Sequence, residues 1–145
     1  MTMENIEINI KSGLDGITFG SKLEDVIAQL GDPEDIENID MDDENTTVLN
    51  YWDMGITLFF EDVTKPCLSC IEISNKNATL FGKKIFSLSK DEIILLMKEK
   101  GHNEYELDTE VWGEERLTFE DLMIDFYFED KKLSEVSWGN IINVL

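Results

Sequence analysis

Two cysteines stand at redox or metal-ligand spacing. Cys67-Leu68-Ser69-Cys70 spells C-x-x-C, which serves dithiol exchange or half of a zinc site. A redox pair opens a helix whose N-terminus lowers the pKa of the first thiol. This pair runs instead into Ile71-Glu72-Ile73, whose alternation predicts a strand, and along a strand the two positions are too far apart for a disulfide. Zinc needs two further ligands, and His102 is the only histidine. The expectation is ordinary reduced cysteines and no metal centre.

The other chemical candidates are weaker. Asp40-Met41-Asp42-Asp43-Glu44-Asn45 has the composition of a calcium loop, but an EF-hand begun at Asp40 requires Gly and Glu where Asn45 and Tyr51 stand. A solvated acidic loop is expected there. His102 follows Gly101 without a Ser or Cys in a nucleophile motif beside it. Among 32 acids no pair is marked out for glycoside chemistry, and neither phosphate-cradling glycine motif occurs. These residues predict a protein that is not an enzyme and holds no cofactor.

Charge narrows the partners. Thirty-two acids against 12 bases leave a formal net charge of −20. Nucleic acid and anionic membrane surfaces both repel such a chain. A basic protein is the complementary partner, because opposite fields steer the encounter. Acidity that serves solubility alone is the competing account. A hydrophobic content of 42% with eight Phe predicts a folded chain, and 145 residues suit a single domain. No apolar run reaches the roughly 20 residues of a membrane span. MTMENIEINIKSG lacks the basic and apolar regions of a secretory signal, so a cytoplasmic protein is expected.

The elements that must position these residues come in pairs. Leu49–Asp62 and Leu117–Asp130 share an alternating apolar pattern at an offset of 68, with Ile56, Leu58 and Phe60 matching Ile124, Phe126 and Phe128. Ser21…Glu24 and Ser89…Glu92 are capping boxes at the same offset, each opening an apolar helical stripe. The predicted helices span about 22–30 and from Ser89 to about Lys100. Ile6, Ile8 and Ile10 alternate through residues 4–10 as a first strand. Acidic connections follow both helices, at Asp32–Glu44 and Glu104–Glu115, with part of each able to form a strand. Hairpins close both halves. The prediction is one α+β domain of two tandem repeats, about residues 1–75 and 76–145, each a helix plus antiparallel strands, with helices on one face of the sheet.

The run Ile17-Thr18-Phe19-Gly20-Ser21-Lys22-Leu23-Glu24-Asp25-Val26, closing with Leu30-Gly31-Asp32-Pro33, resembles the helix signature of SmpA/OmlA-type domains. Those domains belong with the beta-lactamase inhibitory protein fold of tandem helix-plus-sheet repeats. The resemblance implies a sheet whose open face binds another protein. Such lipoproteins carry an export signal and a lipidated cysteine, which are not found at this N-terminus, so outer-membrane assembly is not expected. No site residue is transferred.

Together these readings predict a protein-binding module of the immunity or inhibitor type, occluding a basic partner such as a nuclease toxin. A housekeeping or structural domain, or a small-molecule or cation-binding module using the acidic loops, is the alternative. The partner-binding candidates are the acids Asp40, Asp42, Asp43, Glu44, Glu110 and Asp125 for steering, with Trp52, Phe59, Trp112 and Tyr127 as anchors. Trp52 and Trp112 carry a second reading as core residues. Phe59 and Tyr127 carry one as aromatics that cover neighbouring strands.

Overall fold

The computed structural model describes residues 6–41, 44–62 and 66–140, with the side chains of residues 40, 41, 44 and 62 excepted. Eight strands form one antiparallel sheet: β1 (Asp35–Met41), β2 (Glu44–Tyr51), β3 (Ile56–Asp62), β4 (Cys67–Ile73), β5 (Glu106–Thr109), β6 (Glu115–Phe119), β7 (Ile124–Glu129) and β8 (Lys132–Gly139). Their order in space is β5-β6-β7-β8-β4-β3-β2-β1. Each half of the chain thus makes a four-stranded meander. The two meanders join where β8 pairs with β4.

Two α-helices occur among the described residues, α1 (Leu23–Leu30) and α2 (Lys90–Glu99). Strand accounts for 48% of the described residues and helix, 3-10 turns included, for 21%, so the fold is mostly β. This corrects the expected α+β architecture of helix-plus-strand repeats with helices laid on one sheet face. The reason lies in the acidic connections. Asp35–Met41 and Glu106–Thr109 lack the apolar alternation of an inner strand, yet both pair as the edges of the sheet. An edge strand needs a backbone partner on one side only, and its charged side chains stay in water. No described helix is long and apolar enough to cross a membrane.

One face of the sheet is the wall of the core. Ile56, Leu58, Phe60, Ile124, Phe126 and Phe128 are all buried, as their alternation predicts. Ile6, Ile8, Leu14 and Ile17 from the N-terminal segment, Val26 and Leu30 from α1, and Ile93, Leu96 and Met97 from α2 belong to the same cluster. Each such side chain contributes about 1.5–3 kcal/mol through burial. The expected first strand is shorter than predicted: Ile8–Asn9 pairs with Gly13–Leu14, and residues 1–5 lie outside the described residues.

Only one of the two predicted capping boxes forms. Ser89 Oγ accepts from the Glu92 amide while Glu92 accepts from the Ser89 amide. At α1 the N-cap is Lys22, without a side-chain cap. The chain there is tied to β4: the Gly20 amide donates to the Leu68 carbonyl, and the Leu68 amide donates to the Ser21 carbonyl. Held in that ladder, the Ser21 hydroxyl meets Thr18 instead of the helix.

Matching irregularities mark the two meanders. Ser69 bulges out of β4 opposite Phe59 and Phe60 of β3, and Ser134 out of β8 opposite Tyr127 and Phe128 of β7. Ser69 donates its hydroxyl to the Phe59 carbonyl, and Ser134 to the Tyr127 carbonyl. Short 3-10 turns at Trp52–Met54 and Glu120–Leu122 end in left-handed residues, Gly55 and Met123.

Candidate functional site

The face of the sheet opposite the core carries the polar side chains, and its pattern follows from register. One row runs across all eight strands: Asp35, Asn50, Thr57, Glu72, Ser137, Asp125, Thr118 and Glu106. Four of these residues are carboxylates and none is a cation. Within the row Asn50 donates to Asp35 at 3.1 Å and Thr57 donates to Asn50 at 3.2 Å. In the other meander Thr118 donates to Asp125 at 2.6 Å.

At the seam between the meanders two carboxyl groups meet. Glu72 stands opposite Ser137, and Glu135 is two residues along on the same strand and face. Glu72 and Glu135 share a hydrogen bond, which requires a proton on one of them. Burial, then that bond, then the charge of Glu135 push the Glu72 carboxyl up to about 7. Chemically the pair can give or take a proton near neutrality, or exchange it for a cation.

Beside the seam, Cys70 Sγ lies 3.6 Å from Ser137 Oγ, and burial pushes the thiol pKa up although the Ser137 contact lowers it. A raised pKa suppresses the thiolate, the opposite of a redox cysteine. No disulfide joins Cys67 and Cys70. Among the described residues no group of three or more His, Cys, Asp or Glu is placed to hold a metal.

Asp125 and Tyr127 form a local unit with Arg116. The guanidinium Nε is 3.3 Å from Asp125 Oδ1, and its carbon lies 6.0 Å from the centre of the Tyr127 ring. Burial is the main cause raising the Tyr127 phenol, with Asp125 adding to it and Arg116 opposing. Asp125 is therefore partly neutralised by its own neighbour, which weakens it as a steering charge.

The other predicted residues are dispersed. Phe59 lies on the same outer face, half-buried, in the row beyond Thr57 and next to Cys70. Trp52 and Trp112 are 63% and 71% exposed, so their reading as core residues is corrected. Trp52 sits in a 3-10 turn whose amide donates to Glu34, and Trp112 in the β5–β6 hairpin, where its indole donates to Glu114. Hydrogen bonds from Glu110 N to Glu114 O and Gly113 N to Glu110 O, not a packed core, shape that hairpin.

Asp40 and Glu44 occupy the closing end of the β1–β2 hairpin, while Asp42 and Asp43 lie outside the described residues. The two acidic hairpins sit on opposite edges and close at opposite ends of the sheet. Seven strand spacings of about 4.8 Å put those edges roughly 34 Å apart. They do not form one site. Glu72, Glu135 and Asp35 went unrecognised in the sequence because only pairing brings them into line, and single acids within alternating strands carry no other signal.

No protein-family model and no curated protein matches this sequence. A solved structure similar to it is that of an extracellular protein containing a SCP domain from Bacillus anthracis str. Ames, at 13% identity and a TM-score of 0.48. The match covers 83% of this chain and 43% of that one, so the chain spans less than half of the other's length. A likeness of that degree carries no conclusion about function.

Proposed function

We propose that this protein is an acidic protein-binding module that occludes a basic protein, in the manner of an immunity or inhibitor protein facing a nuclease toxin. The observation that carries the reading is the outer row, with Asp35, Glu72, Asp125 and Glu106 spread over eight strands and no cation in the row itself, although Arg116 beside it offsets Asp125. Such a field attracts a basic surface from beyond contact distance, within a Debye length of about 8–10 Å in ordinary salt. Phe59 and Tyr127 beside the row, and the exposed Trp52 and Trp112 at its margins, supply apolar contact once charge has brought the partner in. An ammonium or guanidinium arriving at Glu72 and Glu135 replaces their shared proton. A binding sheet is also what the SmpA/OmlA resemblance implies. The cytoplasmic setting belongs to the same reading, since cysteines without a disulfide suit a reducing compartment.

The test is a pull-down from the native organism's lysate at low and moderate salt, with Glu72→Lys and Tyr127→Arg run beside the wild type. The expected result is one basic protein retained in comparable amount, shed as salt rises, and lost from both variants. Retention of nothing, or retention unchanged by the variants, overturns the assignment to this face.

A further inference from the structure

Strand β5 ends the sheet with its core unfinished. The buried row that includes Phe126 and Leu117 continues onto β5 at Leu107, where exposure rises from 0% at Leu117 to 42%. Beside it Tyr105 packs its ring 5.7 Å from that of Phe119 and is 45% exposed. Leu107 and Tyr105 are two apart, so both present to the core side of the sheet. On the other side of the same strand stand Glu106, which ends the acidic row, and Asp108, which faces Arg116 across the β5–β6 pair. Among the described residues the Glu106 carboxylate has neither a hydrogen bond nor an ion pair. Alternate residues of an edge strand also turn N–H and C=O outward, away from their one neighbour.

The opposite edge is less open to a newcomer. There Asp35 and Glu37 already accept from Asn50, and the core-side residue after Ile36 is the polar Asn38, which accepts from Thr47. The complement of β5 is specific: a strand with apolar side chains at every second position and cations between them. Cross-strand pairs of opposite charge and of apolar groups are the interactions that stabilise added strands.

We propose that a basic partner adds a ninth strand along β5, seating apolar side chains on Tyr105 and Leu107 and Lys or Arg side chains on Glu106 and Asp108. The proposal rests on the basic-partner reading and assigns its main-chain contact to one edge.

A synthetic peptide of alternating lysine and valine is the probe, with a peptide of the same composition arranged in two blocks as the control for charge alone. Amide exchange of the full chain is followed by NMR. The alternating peptide is expected to slow outward amides within Glu106–Thr109 by about tenfold or more, leaving Asp35–Met41 unchanged, and the block peptide to give no such protection. Glu106→Lys with Asp108→Lys is expected to abolish this and to admit an alternating glutamate–valine peptide instead. Core amide protection confirms that this exposed double variant is folded. Protection at Asp35–Met41, effects confined to Phe59, Glu72 and Tyr127, or no protection at all overturns the proposal. Binding on the outer face removes the edge but leaves the basic-partner reading intact, and the pull-down decides that reading separately.

Discussion

The buried indole of Trp138 in β8 donates to the carbonyl of Gly13 at 3.0 Å, tying the large sheet to the short N-terminal strand Gly13–Leu14. Gly13 has a φ of 144°, and a Cβ there would lie 1.8 Å from the Ile17 carbonyl oxygen. The contact is thus specific on both sides. Trp138→Phe leaves a buried carbonyl without its donor and a void beside it. A loss of about 2–4 kcal/mol is expected by urea unfolding, with the fold retained. A loss below about half a kilocalorie would show that the contact is dispensable.

Glu72 makes stability depend on pH in an unusual direction. Its carboxyl holds a proton to about 7 in the folded chain but releases it near the ordinary 4.5 when unfolded. The native state binds the extra proton between those values, so this contribution is full below 4.5 and is lost as pH rises through 7. Glu72→Gln should leave stability at pH 5 nearly unchanged. At pH 8 it should gain about 1–2 kcal/mol, a figure discounted for the half-exposed position. Calorimetry at the two pH values decides it, and equal effects at both would show that Glu72 and Glu135 do not share a proton.

Arg116 offsets part of the acidic field. Arg116→Ala frees Asp125 from its guanidinium, and the pair is exposed enough that stability should fall by less than about 1 kcal/mol. Association with a basic partner should quicken and its salt dependence steepen. Stopped-flow rates at several salt concentrations measure both, and a slower association would show that Arg116 itself contacts the partner.

The two serines of the predicted capping boxes should behave differently. Ser89→Ala removes a cap that forms and should cost about 1 kcal/mol. Ser21→Ala removes only a hydroxyl contact with Thr18 at the surface and should cost a few tenths of that. Chemical denaturation of the two variants makes the comparison, and equal losses would place a cap at Ser21.

Trp52 and Trp112 are exposed in turns of different meanders, so alanine at either should leave the melting temperature within a degree or two. Partner affinity should fall at whichever tryptophan lies inside the footprint. A large stability loss from either change would return that residue to a packing role.

The inner face of the sheet, the α2 cap and the acidity of the surface follow from residue order alone. Ile56, Leu58 and Phe60, like Ile124, Phe126 and Phe128, declare a buried face by alternation, a property of neighbours in the chain. The Ser89–Glu92 cap is likewise local. Tertiary structure decided that Asp35–Met41 and Glu106–Thr109 are edge strands, since half-solvated acidic strands look like loops until a neighbour supplies their backbone partners. It decided that Ser21 does not cap, because β4 holds its backbone. It also aligned Glu72 with Glu135, which belong to different meanders and meet only through the β4–β8 pairing. Register between distant strands is set by the packing of the whole apolar face, and no local pattern encodes which outer side chains it will bring together.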